Sequence, residues 1–223
     1  MITSATIPEK VRLRREALER RAAVSANGAA VQVRDYGLAL LRGTDFHGRP
    51  EGGDPRKPQG TTDGLTDPVP RGDDVLSGIV SGYLPIRDEL TPLALLSALS
   101  ADGHPLALPV IDTKWAPLIF RAWKPGDRLV AAEFGLKEPA PEAAALLPDI
   151  LLIPLAAFDA EGYRIGYGGG YYDRTLELYR RTRAITAIGI AYECQEVPVF
   201  THEPHDQRLD YLITPAGVRT FGP

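Results

Sequence analysis

The chain has 223 residues, 44% of them hydrophobic and 24% charged, which is typical of a globular protein and excludes a disordered or fibrous class. Its formal net charge of −4 argues against a nucleic-acid-binding surface, because such surfaces need clustered, uncompensated lysines and arginines. One cysteine, Cys194, cannot form an internal disulfide. No signal-peptide pattern begins the sequence and no apolar run of about 18 residues could span a bilayer. We therefore expect a cytoplasmic protein with no nucleic-acid or membrane partner.

The N-terminal segment carries a basic pair at helical spacing. A capping-box pattern predicts a helix over Thr6–Val24. Lys10 and Arg14 share one face of that helix, where their repulsion costs about 0.2–0.5 kcal/mol unless an anion lies between them. A solvated basic face is the alternative interpretation. A weaker helical pattern follows at Val33–Leu41.

The segment 43–74 differs from the rest of the chain in composition. It holds seven glycines and five prolines and few large apolar residues. A stretch of this kind buries too little surface to offset the entropy of ordering it. We predict a mobile insertion within a single domain that spans residues 1–223, and we assign it no function.

From Leu76 onward, short apolar runs alternate with helical patterns. This alternation predicts an α/β fold with a mostly parallel open sheet and helices on both faces. The predicted strands are Gly78–Tyr83, His104–Ile111, Arg128–Glu133, Ile150–Leu155, Ala187–Ala191 and Tyr211–Thr214, and the helices Thr91–Ser100 and Tyr171–Arg183.

The most informative segment runs from the strand at Ile150 through a glycine-rich loop, Gly166–Gly170, to the helix at Tyr171. Glycines let backbone N–H groups approach an oxyanion, and a helix N-terminus adds partial positive charge, so the order favours a phosphate site. Arg164 adds a cation nearby. The loop matches neither a Walker A sequence nor a dinucleotide fingerprint. A hairpin that only turns a corner is the alternative.

Four separated segments carry a resemblance to one family. Arg164–Arg174, with the sequence RIGYGGGYYDR, is similar to the signature of the 5-formyltetrahydrofolate cyclo-ligases, also called methenyltetrahydrofolate synthetases. Lys10–Arg14 resembles the family's Lys-x-x-Leu-Arg, and Tyr83–Glu89 resembles its segment that ends in a substrate-contacting glutamate. Glu203–Asp206, followed by Asp210, resembles its C-terminal metal segment. The order of the four segments is also that of the family.

The resemblance implies a three-layer, Rossmann-like fold of the NagB/RpiA/CoA-transferase kind and an ATP- and Mg²⁺-dependent ligase. In the implied reaction the N5-formyl oxygen attacks the γ-phosphate of ATP, N10 closes the ring on the phosphorylated intermediate, and phosphate leaves. Lys10, Arg14 and Arg164 would neutralise charge in catalysis. The implied ATP contacts are Lys10, Arg14, Arg164, Ile165, Gly166, Tyr167, Gly168, Gly169, Gly170, Tyr171 and Tyr172. The implied folate contacts are Leu84, Glu89, Tyr167, Gly168, Gly169, Gly170 and Tyr171, and the Mg²⁺ ligands are Asp173 and Asp206.

Other interpretations of these residues stay open at this point. The structural alternative for Asp173 is an acidic residue in the first turn of a helix, and for Asp206 it is an ordinary turn residue. For Glu89 it is an acidic residue at the start of a helix. Leu84, Trp115 and Phe134 are candidates for the folate pocket, although such side chains are more often core. The implied partners are ATP and 5-formyltetrahydrofolate, with or without a polyglutamate tail, and we expect a monomer. The rivals are a divergent relative with another substrate and a non-catalytic polyanion-binding module built on Arg174, Arg180, Arg181 and Arg183.

Overall fold

A computed structural model describes residues 8–42, 78–132 and 135–221. The predicted insertion at 43–74, the Thr6 cap and Phe134 lie outside these ranges. The helices of the described ranges are α1 (Glu9–Ala22), α2 (Ala29–Leu41), α3 (Leu93–Ala101) and α4 (Tyr171–Arg180), with a 3₁₀ turn at Glu193–Gln195. None of these helices has the length and apolar character needed to cross a membrane.

The main sheet has eight strands in the order β12-β11-β10-β7-β1-β2-β3-β6. The five strands from β11 to β2 are parallel, and β12, β3 and β6 join antiparallel. Two separate hairpins pair β4 with β5 and β8 with β9. The strands are β1 (Val80–Ser81), β2 (Leu106–Val110), β3 (Ile119–Ala122), β4 (Leu129–Ala131), β5 (Lys137–Pro139), β6 (Ala145–Leu146), β7 (Ile150–Pro154), β8 (Ala157–Phe158), β9 (Arg164–Ile165), β10 (Thr186–Ile190), β11 (Tyr211–Thr214) and β12 (Gly217–Thr220).

Both faces of the sheet are covered, and β7 illustrates how. Ile150 and Leu152 pack in the cluster that contains α2 and α3, whereas Leu151 and Ile153 pack in the cluster that contains α4. Successive side chains of a strand point to opposite faces, so an unbroken apolar run is needed where both faces are buried. The predicted mostly parallel sheet with helices on both faces is confirmed.

The chain reverses its direction of travel across the sheet between β1 and β7. From β1 it proceeds through α3 to β2 on one side, and from β7 through α4 to β10 on the other. In open α/β sheets, ligands bind at the carboxyl ends of the strands where the order reverses. The segment that leads to Glu89 follows β1, and the glycine loop follows β7 and the β8–β9 hairpin. The fold therefore brings two of the four motif segments to one crevice.

Helix α1 packs on the hairpin rather than on the main sheet. Its buried Leu13 and Ala17 lie in a cluster with Ala157, Ile165 and Phe200. This packing sets the N-terminal half of α1 beside the glycine loop, because β9 runs directly into that loop.

Several elements differ from the sequence-based expectation. The run predicted at Arg128–Glu133 forms only β4, in a hairpin with β5 outside the main sheet. Helix α4 ends at Arg180 and not at Arg183. Strands β3 and β12 were missed because Ile119–Ala122 and Gly217–Thr220 mix apolar and polar residues without strict alternation, and pairing with β2 and β11 decides their conformation.

Candidate functional site

The glycine loop ends in a helix start whose first N–H groups have no hydrogen-bond partner among the described residues. Gly168 and Gly170 have φ angles of 98° and 61°, which residues with a Cβ rarely adopt. Gly170 is the N-cap of α4 and supplies no side-chain hydrogen bond. The first N–H groups of a helix have no intrahelical partner, so this end of α4 is arranged to receive an anion.

Arg14 lies over the loop. Its Nε donates to the carbonyl oxygen of Gly166 at 2.7 Å, and both terminal nitrogens lie 4.0 Å from the point where a Cβ on Gly168 would stand. Burial lowers the pKa of Arg14, yet an arginine stays protonated at any physiological pH. A fixed positive charge therefore stands beside the free N–H groups.

Lys10 reaches the segment that carries Asp206. Its Nζ donates to Asp206 Oδ2 at 2.6 Å and to Glu203 Oε2 at 3.2 Å. Burial would lower the pKa of Lys10, but the hydrogen bonds to these two carboxylates outweigh it and raise the pKa. For Asp206, burial is likewise outweighed, here by hydrogen bonds from the Glu203 N–H and from Lys10, so its pKa is lowered. Both groups are charged at neutral pH.

Asp173, in the first turn of α4, is joined to the same segment. Its Oδ1 accepts hydrogen bonds from Arg164 Nη2 at 3.0 Å and from the Gln207 N–H at 3.1 Å. Arg164 is 7% exposed and also donates to the Gln207 carbonyl oxygen. Its guanidinium is thus turned toward Asp173 and the backbone. The predicted contact of Arg164 with ATP stays a prediction, and orientation of Asp173 is the role that the geometry favours.

Glu89 lies in the crevice with one unsatisfied oxygen. Its Oε2 accepts the Ile86 N–H at 2.8 Å, whereas the buried Oε1 has no hydrogen-bond partner among the described residues. Burial raises the pKa of Glu89, and the nearby Tyr167 hydroxyl and the Ile86 N–H oppose that rise only in part. Tyr167 and Tyr172 lie near this carboxylate, and burial together with its negative charge raises the pKa of both phenols. Leu84 packs against the adjacent apolar cluster.

The sequence analysis missed Arg21, which is 2% exposed. Its Nη2 and Nε donate to the Asp88 carboxylate at 2.9 and 3.2 Å, and its Nη1 donates to the Tyr167 hydroxyl at 2.8 Å. A signal was present, since Arg21 continues the spacing of the buried Leu13 and Ala17 along α1. A charge on an apolar stripe needs a buried partner.

A cavity of about 390 Å³ opens beside the loop, with Trp115 on its wall. Trp115 is 66% exposed, has a φ of 63°, and its ring lies parallel to that of Tyr171 with centroids 6.4 Å apart. Asp173 and the three glycines Gly168–Gly170 also line this cavity. The free N–H groups, a carboxylate and an exposed aromatic face therefore meet in one open space.

Three of the four arginines of the polyanion-binding alternative are paired with carboxylates. Arg180 pairs with Asp210, Arg181 with Glu177 and Arg183 with Asp149, while Arg174 donates to the Gly169 carbonyl oxygen. Phosphate-backbone binding needs uncompensated charge. These pairs count against that alternative.

Comparison with known sequences identifies one family. The family model of the 5-formyltetrahydrofolate cyclo-ligases matches residues 76–215. A 5-formyltetrahydrofolate cyclo-ligase of Mycolicibacterium smegmatis is 38% identical over 61% of this chain and 73% of that protein. The protein of the same name from Escherichia coli K12 is 34% identical over 65% of this chain and 81% of that protein. Helix α1, with Lys10 and Arg14, lies outside the match to the family model.

Solved structures agree with this comparison. A 5,10-methenyltetrahydrofolate synthetase from Mycoplasma pneumoniae superposes with a TM-score of 0.64 at 23% identity, covering 93% of this chain and 99% of that one. The synthetase of the same name from Aquifex aeolicus gives a TM-score of 0.63 at 25% identity, covering 95% and 92%. The first likeness establishes the fold.

Proposed function

Because the chain belongs to the 5-formyltetrahydrofolate cyclo-ligase family, we propose that it closes 5-formyltetrahydrofolate to 5,10-methenyltetrahydrofolate at the expense of ATP. The observation that supports this most directly is the meeting of the uncapped start of α4 with Arg14 and Asp173 at one loop. On the other side of the same loop, Tyr167 adjoins Glu89. A single glycine loop thus separates an anion site from a buried carboxylate, as joint binding of ATP and folate requires.

The anion site suits the phosphates of ATP. Backbone N–H groups at the start of α4 and the Arg14 guanidinium present positive charge without rearrangement. Lys10 is held by Asp206 and Glu203, and we propose that it turns toward the phosphates when ATP binds. Lys10 would then give up its ion pairs with the two carboxylates and form one with the nucleotide.

Asp173 and Asp206 fit Mg²⁺. Each has one oxygen held by hydrogen bonds within the protein, Oδ1 of Asp173 and Oδ2 of Asp206. The second oxygen of each has no such bond among the described residues. Magnesium prefers one or two carboxylates together with phosphate oxygens and water. Bound there, it would neutralise phosphate charge as the γ-phosphate is attacked.

Glu89 suits the folate side. Its buried Oε1 lacks a donor, and an unpaired buried carboxylate oxygen is costly. The N–H groups of a pterin ring would supply that donor. Glu89 would then fix the ring so that the N5-formyl oxygen faces the γ-phosphate, with Tyr167 on the loop closing the approach of water.

In the proposed reaction the protein positions the two substrates and neutralises phosphate charge, and no side chain acts as nucleophile. The formyl oxygen attacks the γ-phosphate, ADP leaves, and N10 attacks the formyl carbon of the phosphorylated intermediate. N10 then loses its proton, and the C–O bond breaks so that phosphate leaves with the former formyl oxygen, which completes the methenyl bridge. Alignment of two bound reactants can itself contribute about 7–11 kcal/mol to lowering a barrier. Arg14, Lys10 and the loop N–H groups hold the phosphates in line for that attack.

The test is a spectrophotometric assay at the absorbance band of methenyltetrahydrofolate. Purified protein is mixed with 5-formyltetrahydrofolate, Mg²⁺ and ATP, with ATP omitted as the control. We expect growth of the band only with ATP, and a stoichiometric release of ADP. Folded protein that binds ATP but yields no band would instead point to a divergent relative with another substrate. A monomeric state and a single domain are part of the proposal, and size-exclusion chromatography with light scattering tests the former.

A further inference from the structure

Arg174 lies near the start of α4 and reaches back over the glycine loop. Its Nη2 donates to the carbonyl oxygen of Gly169, and its guanidinium carbon lies 5.4 Å from the centroid of the Tyr171 ring. Arg174 also lines the cavity beside the loop, together with Gly168–Gly170. The side chain therefore contacts the loop at the point where the loop becomes a helix.

The contact with Gly169 fixes the orientation of one peptide unit. In a planar trans peptide the C=O and the following N–H point in opposite directions, and none of the described peptide bonds is cis. The Gly169 carbonyl oxygen faces the Arg174 guanidinium, so the Gly170 N–H points away from that guanidinium. This N–H has no acceptor among the described residues, and it is therefore available to a ligand.

Without that contact the same peptide unit could turn over. Gly169 and Gly170 flank it, and a residue without a Cβ reaches most of φ/ψ space at little cost. The turned peptide would aim the Gly169 carbonyl oxygen at a bound anion in place of the Gly170 N–H. A carbonyl oxygen carries partial negative charge and repels an anion. The glycines alone therefore do not set the polarity of the anion site.

Arg14 makes the same kind of contact at the other end of the loop. Its Nε holds the carbonyl oxygen of Gly166, so the N–H of Tyr167 points away from it. Each of the two arginines binds a loop carbonyl oxygen, and in each case the N–H of the next residue has no acceptor among the described residues. The loop is thus held at both ends with carbonyl oxygens toward arginines and N–H groups free.

Two further features show that the fold accommodates the Arg174 contact at a cost. A Cβ on Gly170 would stand 2.7 Å from Arg174 Nη1, so a larger residue there would displace the guanidinium. The Arg174 Nε is buried and has no partner among the described residues, and an unpaired buried donor lowers stability. Stability therefore does not by itself explain where this guanidinium lies, whereas the orientation of the loop does.

We propose that Arg174 is a positioning residue of the anion site, which holds the Gly169–Gly170 peptide so that the Gly170 N–H meets the phosphates. The inference rests on the proposed function for the identification of that anion with the phosphates of ATP. Arg174 acts through the backbone and needs no contact of its own with the nucleotide. Its loss should therefore weaken binding of the phosphates whether or not a nucleoside is attached to them.

The first test uses inorganic tripolyphosphate, which has the phosphates of ATP without base or ribose, and measures affinity by calorimetry. Arg174→Met should bind it about tenfold more weakly, the equivalent of one hydrogen bond to a charged group. Arg174→Lys should recover part of the loss, since its ammonium can donate to the Gly169 carbonyl oxygen. Arg121→Met is the matched control, because Arg121 donates to the carbonyl oxygens of Pro141 and Ala143 at 2.5 and 3.0 Å, away from the glycine loop.

Amide NMR separates the orientation of the peptide from the charge of Arg174. In isotope-labelled wild-type protein the Gly170 amide proton should shift downfield as tripolyphosphate is added, because its N–H donates to a phosphate oxygen. In saturated Arg174→Met that shift should be lost, while the Tyr171 and Tyr172 amides still respond. An unshifted Gly170 amide in the wild-type protein, or an equal shift in the variant, would overturn the inference, as would unchanged affinity of Arg174→Met for tripolyphosphate.

Steady-state kinetics give the last readout. The KM for ATP should rise about tenfold in Arg174→Met and stay at the wild-type value in Arg121→Met, and circular dichroism checks the fold of both variants. Protein that binds tripolyphosphate through the Gly170 amide in an Arg174-dependent way, yet forms no methenyl product, would uphold the role of Arg174 and refute the proposed function.

Discussion

The guanidinium of Arg21 is buried and donates two hydrogen bonds, of 2.9 and 3.2 Å, to the carboxylate of Asp88. The same guanidinium donates to the hydroxyl of Tyr167 at 2.8 Å. One side chain thus ties helix α1, the segment after β1 and the glycine loop together. Because α1 carries Lys10 at its other end, the arrangement links the proposed ATP side of the site to the folate side.

Replacement of Arg21 with Met should destabilise the protein and loosen Tyr167. We expect a loss of about 2 kcal/mol in the free energy of unfolding, below the full cost of breaking a buried pair because Asp88 is partly exposed. The KM for 5-formyltetrahydrofolate should rise more than the KM for ATP. Urea unfolding and steady-state kinetics measure the two effects. Arg12→Met, which removes an exposed pair on the same helix, should cost no more than about 0.5 kcal/mol. Equal losses in the two variants would show that the contacts of Arg21 with Asp88 and Tyr167 add no stability beyond that of a surface pair.

Gly168→Ala should impair nucleotide binding through backbone strain, because φ at Gly168 is 98°. A matched control exists in Gly126, with φ of 96° and nothing within 4 Å of an added Cβ. Both substitutions should cost about 1–2 kcal/mol of stability, since the conformation is equally unfavourable. Only Gly168→Ala should raise the KM for ATP, by about tenfold if roughly 1.4 kcal/mol of phosphate binding is lost. Similar ATP kinetics in both variants would remove the loop from the phosphate site.

Asp173→Asn should abolish turnover while the fold is retained. The amide oxygen can still accept hydrogen bonds from Arg164 and the Gln207 N–H, but the negative charge is gone. We expect kcat to fall by about a hundredfold or more and the Mg²⁺ concentration for half-maximal rate to rise. Glu177→Gln is the control, because Glu177 lies on the same helix and pairs with Arg181 at the surface. Circular dichroism of both variants checks the fold, and an unchanged Mg²⁺ dependence in Asp173→Asn would exclude this carboxylate from the metal site.

Glu89→Gln should weaken folate binding and raise the stability of the protein, and the gain in stability should depend on pH. Burial raises the pKa of Glu89 above its ordinary value of 4.5, so the folded protein disfavours the charged form. Stability associated with the protonated carboxyl is fully present below pH 4.5 and is lost as pH rises through the folded pKa. The glutamine variant should therefore be more stable than wild type at pH 7, with the difference vanishing below pH 4.5.

The folate affinity of the same variant should fall by about tenfold, the equivalent of one charge-assisted hydrogen bond. Thermal unfolding across pH and the KM for folate are the measurements. A variant less stable than wild type at pH 7 would show that Glu89 is a structural acid whose charge the fold needs.

Much of the architecture follows from local pattern. The run Ile150–Pro154 is apolar at every position, which only a strand covered on both faces requires. The glycine loop before Tyr171 predicts the start of α4, because positive φ angles there demand glycine. Strand β12 escaped prediction because its conformation depends on pairing with β11 rather than on its own residues.

The sequence by itself determined the family, the order of the elements and the position of the glycine loop, because these depend on local spacing and on contiguous motifs. Only the tertiary structure decided that Arg21 reaches Asp88 and Tyr167, 67 and 146 residues away, and that Arg164 faces Asp173. The contacts of Arg21 depend on how α1 packs across the β8–β9 hairpin, and the Arg164–Asp173 pair depends on how β9 and α4 meet across the glycine loop. A periodicity reports which face of a helix is buried, whereas the partner of a buried charge is set by whatever element the fold places against it.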